Sequence, residues 1–118
     1  MKYFRQANEM YNIKDYRKAI ALYKRSIEKG ENLACALYNA AVCHIKLNEF
    51  NEAIVHLKEA LKHRIDAKYL FNLGYCFNMI KDYKKALIYF NYSWSLDNTD
   101  IECEKAINSI LKKVKKVM

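Results

Sequence analysis

Residues 14–30 read KDYRKAIALYKRSIEKG, residues 48–64 read NEFNEAIVHLKEALKHR, and residues 81–97 read KDYKKALIYFNYSWSLD. One phrase is written three times, and its alanines at 19, 53 and 86 stand 34 and then 33 residues apart. A period of that length signals stacked supersecondary units, none of which buries its apolar face alone. The pattern inside the phrase says what the unit is. In the middle copy Phe50, Ala53, Ile54, Leu57, Ala60 and Leu61 fall on one face of an α-helix. The first copy repeats this with Tyr16, Ala19, Ile20, Tyr23 and Ile27, and the third with Tyr83, Ala86, Leu87, Phe90 and Trp94. Asp15 and Asp82 stand where N-caps belong.

A second amphipathic segment precedes each copy. Tyr3, Ala7 and Met10 lead the first, Leu37, Ala40, Ala41 and His44 the second, and Leu70, Leu73, Gly74 and Phe77 the third. The unit is therefore helix, short turn, helix. Composition agrees: 53% hydrophobic residues supply a core, and no proline and only two glycines leave little to interrupt helices. After the third unit, Ile107, Ile110, Leu111, Val114 and Val117 share one face of a further helix whose other face is lysine-rich. Such a helix closes the stack and solubilises its end. The expected organisation is one domain over residues 1–118, with repeats at about 1–33, 34–66 and 67–100 and a cap at about 101–117.

These residues resemble the tetratricopeptide repeat family, whose pattern runs W-x2-L-G-x2-Y, A-x3-F, P. The third unit carries Leu70, Leu73, Gly74, Phe77, Ala86 and Phe90 at the matching places. The second carries Leu37, Ala40, Ala41, His44, Ala53 and Leu57, and the first Tyr3, Gln6, Ala7, Met10, Ala19 and Tyr23. The terminal proline is missing from every unit. The resemblance implies an all-α, right-handed helical-repeat solenoid of three antiparallel helix pairs plus a capping helix. It also implies a non-catalytic module for protein–protein interaction, holding a peptide in a concave groove lined by the first helix of each unit.

On that scheme the residues of the first helices not used for packing face the groove. They are Phe4, Arg5, Asn8, Tyr11 and Asn12, then Tyr38, Asn39, Val42 and Lys46, then Lys68, Phe71, Asn72, Tyr75 and Met79. Asparagines donate and accept along an extended backbone, and aromatics give contact area at low entropic cost. Arg5, Lys46 and Lys68 favour carboxylates, and the set contains no acid. The expected ligand is an acidic or C-terminal peptide. Members that clamp a chaperone's terminal carboxylate use a set that Asn8, Asn39 and Lys68 match. Phe4 and Asn72 stand where that set has cations.

Other functions leave weaker marks. The net charge is +8, with the excess at the two ends: eight Lys/Arg against four Asp/Glu over 1–33, and five against two over 101–118. A basic surface for nucleic acid or another polyanion is the alternative reading. Tyr89, Tyr92 and Trp94 thicken the last repeated helix and suggest weak self-association of an otherwise monomeric chain. Catalysis is not expected, since His56 and His63 lie two helical turns apart and no phosphate loop or nucleophile set exists. Cys35, Cys43, Cys76 and Cys103 fit no zinc or redox spacing, and neither metal nor cofactor is expected. No apolar run reaches membrane length and MKYFRQANEMYN has no signal core, so the expectation is a cytoplasmic protein without membrane contact.

Overall fold

The computed structural model describes residues 1–117, with side chains described to Lys116. The side chain of Val117, which the pattern assigned to the apolar face of the last helix, lies outside the described residues. Seven α-helices account for the described regular structure, with no strand among those residues. They are α1 (Lys2–Asn12), α2 (Tyr16–Glu28), α3 (Leu33–Lys46), α4 (Phe50–His63), α5 (Ala67–Met79), α6 (Tyr83–Leu96) and α7 (Ile101–Val117). The class is the expected all-α helical repeat. None of these helices is long and apolar enough to cross a membrane.

The turn inside each pair is the same device three times. Lys14, Asn48 and Lys81 adopt left-handed backbone, with φ of 64°, 60° and 65°. Their N–H groups bond back to the carbonyls of Tyr11, Ile45 and Asn78, and the next N–H, of Asp15, Glu49 or Asp82, reaches Met10, His44 or Phe77. This is the Schellman arrangement, which satisfies the last carbonyls of one helix while the chain reverses. The residue that completes it starts the next helix. Asp15 and Asp82 do so as N-caps, their carboxylates accepting from Lys18 N and Lys85 N. Glu49 takes the same place without capping, because its longer side chain is used elsewhere.

The chain forms two compact units, divided after Ile65. In the first, α1, α2 and α3 enclose a core of Ala7, Ala19, Ile20, Tyr23, Ala36, Ala40 and Cys43, and Ala53, Ile54, Leu57 and Ala60 of α4 are buried as well. Small residues on the first helix of a pair let it approach a large one on the second, as ridge into groove. Glu31, from the α2–α3 connection, accepts the Tyr3 and Phe4 N–H groups at 3.0 and 3.1 Å. It thereby caps α1, whose own N-cap residue, Met1, makes no side-chain bond. In the second unit Leu70, Leu73 and Phe77 of α5 pack with Ala86 and Phe90 of α6, and Ile110 and Cys103 of α7 are fully buried. Ile107 and Val114 are half-buried, whereas Leu111, expected on the apolar face, is exposed. It follows Ile110 directly, and successive helical residues point about 100° apart. Asp66 caps α5 through the Lys68 N–H at 2.8 Å.

Candidate functional site

In the first unit α1 and α3 bring six of the candidate residues around one cavity. It measures about 400 Å³ and is lined by Asn8, Tyr11, Asn12, Tyr38, Asn39 and Val42. Helical spacing puts them there: 8, 11 and 12 share a face of α1, and 38, 39 and 42 a face of α3. The polar groups are held in place from behind. The Tyr23 hydroxyl, brought by α2, donates to Asn8 Oδ1, and Asn39 Nδ2 donates to the same oxygen at 3.4 Å. With its carbonyl oxygen so used, Asn8 has its amide N–H donors to offer. Burial pushes the Tyr23 and Tyr11 hydroxyls above the ordinary tyrosine range, so both stay neutral. Arg5 lies one turn before Asn8, and Lys46 one turn after Val42, both exposed.

Phe4 is placed differently. Its ring lies 6.0 Å from that of Tyr23 and packs against the core cluster. Its neighbour in space, Glu31, brings a carboxylate to the start of α1, next to the Phe4 backbone. That acid was absent from the sequence-derived set, because only the fold closes the 27 residues between them.

In the second unit Lys68, Phe71, Asn72, Tyr75 and Met79 lie at successive turns of α5, with Lys68 and Met79 exposed. The Phe71 ring stands 5.3 Å from Phe90. Asn72 Nδ2 donates back to the Lys68 carbonyl at 2.9 Å. On α7, Lys113 Nζ donates to Asn78 Oδ1 at 3.1 Å and sits 5.3 Å from the centre of the Tyr83 ring, while Lys112, Lys115 and Lys116 are exposed.

The fold also assembles a group that spacing within one helix had missed. Glu49 accepts a two-pronged contact from Arg17 at 2.9 and 2.6 Å, and its Oε1 lies 2.9 Å from His44 Nδ1. The Arg17 bonds, then the His44 bond, hold the Glu49 carboxyl below its usual range. The His44 ring lies 5.1 Å from that of His56, and His44 Nε2 is buried without a hydrogen-bond partner. The repeat register contains the signal for this pair. Positions 44 and 56 correspond to 77 and 89, where Phe77 and Tyr89 stack at 5.4 Å, and to Met10 and Leu22. The slot is a packing slot, filled here by two imidazoles.

Chemically the arrangement offers hydrogen bonds, cations and apolar surface. Burial pushes the Cys43 and Cys76 thiols up to about 12, so they stay protonated packing groups. Among the described residues no cluster of three or more His, Cys, Asp or Glu has metal-binding geometry.

Comparison with known proteins agrees with this architecture. The family model for anaphase-promoting complex, cyclosome, subunit 3 matches residues 2–60. Human sperm-associated antigen 1 is 29% identical over 109 residues, which take in 91% of this chain and 12% of that protein. Heat shock protein STI1 of Saccharomyces cerevisiae is 33% identical over 96 residues, 73% of this chain and 16% of that one. The chain thus spans less than a fifth of either relative. Among solved structures, the first TPR of Spaghetti (RPAP3), bound to the HSP90 peptide SRMEEVD, superposes with a TM-score of 0.90 at 16% identity. That match covers 96% of this chain and 90% of that one.

Proposed function

The chain belongs to the tetratricopeptide repeat family, and from that premise we propose that it is a non-catalytic module holding an acidic or C-terminal peptide of a partner protein. The observation that carries this reading is the cavity between α1 and α3. Three asparagine amides, two tyrosines and a valine line it, with Arg5 and Lys46 beside it on the same two helices. Amides pair with the donors and acceptors of an extended backbone, tyrosines cover its side chains, and the cations select carboxylates. The preordered Tyr23–Asn8–Asn39 bonds lower the entropic cost of binding. We assign Lys68, Phe71, Asn72, Tyr75 and Met79 the same role on α5. The RPAP3 relative is bound to SRMEEVD, a peptide of the acidic class inferred here. Phe4 and Asn72 replace two cations of the carboxylate-clamp set, so the ligand is an acidic segment recognised more by amides and aromatics than by a full clamp.

The test is fluorescence anisotropy with labelled SRMEEVD and its Gln/Asn version, against wild type and Asn12→Ala/Lys46→Ala. Neither substituted side chain is part of the core. The expected result is saturable binding of the acidic peptide, weakened about tenfold by loss of its charges and by the double substitution. Equal affinity for the charged and uncharged peptides would overturn the acidic specificity. Binding of a random single-stranded oligonucleotide that collapses with salt, with neither peptide bound, would favour the basic-surface reading.

A further inference from the structure

Register comparison of the second helices isolates one anomaly. Their outer faces carry Ala21, Arg25 and Lys29 in the first repeat, and Val55, Glu59 and His63 in the second. In the third the same places hold Ile88, Tyr92 and Leu96, all outward and 56%, 46% and 49% exposed. Packing within the chain does not ask for them. Spaced four apart, they form a continuous apolar stripe along α6. Its ends are oppositely charged: Lys84 and Lys85 flank the N-terminal end, Asp97 and Asp100 the C-terminal end.

We propose that this stripe is a homodimer surface on which α6 of one copy lies antiparallel to α6 of a second. The register follows from the sequence. With the two-fold axis at Tyr92, Ile88 meets the partner's Leu96, since the two positions sum to twice 92, and Lys84 at the N-terminal end faces the turn after the partner's Leu96, which carries Asp97 and Asp100. Lys85 lies within 20° of the Tyr92 direction on the helix; its exposed ammonium stands 3.9 Å from Asp82 Oδ2 of its own chain and exchanges that loose pair for the partner's Asp97 on association. Both acids are fixed: Asp97 Oδ1 accepts from Thr99 N at 3.1 Å, and Asp100 Oδ1 from Glu102 N at 3.0 Å. The Thr99 bonds hold the Asp97 carboxyl below its usual range, so it carries its charge near neutrality. A parallel arrangement would set lysine against lysine and acid against acid. The antiparallel one pairs opposite charges at both ends and puts two tyrosines at the centre, where aromatic anchors contribute most. One 14-residue helix per copy is a small contact, so the association is weak and reversible.

The test is sedimentation velocity of the 118-residue chain from about 10 to about 500 µM, a range suited to small interfaces. Wild type is expected to shift toward dimer with concentration. Tyr92→Glu, which sets two like charges at the axis, is expected to weaken association at least tenfold. Lys84→Glu/Lys85→Glu is expected to do the same, even though it lowers the net charge from +8 to +4 and so relieves general repulsion. Val55→Glu, the equivalent of Ile88 on α4, is expected to leave dimerisation unchanged. Circular dichroism checks that each variant keeps its helices. A wild type that stays monomeric throughout, an unimpaired Tyr92→Glu, tighter association on lysine reversal, or equal loss from Val55→Glu would each overturn the proposal.

Discussion

Gly74 is the smallest residue at a position where the other repeats carry Ala7 and Ala41. A Cβ built there would stand 2.6, 2.7 and 2.9 Å from three ring atoms of Phe90. To restore ordinary contact at 3.4 Å, the ring must retreat by roughly 0.8 Å. It has little room to do so. Phe90 is 1% exposed, and the Phe71 ring stands 5.3 Å from it. The first repeat shows what the accommodation requires. There Ala7 occupies the equivalent place and the corresponding rings, Phe4 and Tyr23, stand 6.0 Å apart, 0.7 Å wider. Gly74→Ala gains about 1 kcal/mol of helix propensity, and overpacking a tight core costs about 1–3 kcal/mol. The expected net is a loss of about 1 kcal/mol, or about 4 °C in Tm for a chain of this size. Urea melts followed by circular dichroism at 222 nm measure it. Combining the change with Phe90→Leu should return most of the loss, so that the two substitutions couple favourably. A Gly74→Ala protein as stable as wild type or more so would refute the argument, since the ring would then be free to move. The strain would pass to Phe71, whose ring stands 5.3 Å from that of Phe90.

Lys81 pays a left-handed backbone penalty at φ 65° that glycine escapes, and its side chain is exposed. Lys81→Gly is therefore expected to raise stability by about 0.5–1 kcal/mol after the unfolded-state entropy is counted. Asn48→Gly should gain less, since asparagine tolerates that region. The same urea melts test both. His56 is held below the usual imidazole range chiefly by burial, with further repulsion from His44 and Lys24. Its folded pKa is depressed, so its stability contribution is whole above about pH 6.5 and is lost as pH falls from there toward the folded value. His56→Leu, which installs the residue that the first repeat has at Leu22, should flatten the fall in stability between about pH 7 and 5. An unchanged slope would place the acid sensitivity elsewhere.

The helices were legible because their apolar residues recur at helical spacing in a chain with almost nothing to break a helix. Ala19, Ala53 and Ala86 set the period, and every one of them is fully buried. The caps at Asp15 and Asp82 were legible because a short carboxylate before an apolar run has a local job. The left-handed turns were not, because lysine at positions 14 and 81 gives no local sign of positive φ. Only the reversal that follows demands it. Glu49 was hidden for a related reason. It aligns with two capping aspartates, yet one added methylene carries its carboxylate to Arg17 and His44 instead. Glu31 and the His44–His56 pair depend on contacts between helices, which a single-helix pattern does not encode.

The candidate site shows a sharper limit. In sequence Asn8 reads as a groove residue because it is polar on a face not needed for packing, a rule that treats packing and binding as exclusive. The structure gives its carbonyl oxygen to a buried tyrosine of α2 and its surroundings to the cavity. Replacing Asn8 with alanine would strand the Tyr23 hydroxyl inside the core, at a cost of about 1–3 kcal/mol. Lost binding in that variant would not separate a missing contact from a loosened helix pair. Asn12 and Lys46, exposed and outside that bond network, carry no such ambiguity. Function in this chain is therefore read most cleanly where the three repeats disagree at exposed positions. Asn12, Lys46 and Met79 are one such set, and Ala21, Val55 and Ile88 are another. The scaffold constrains neither set, so the residues found there are free to answer to a partner.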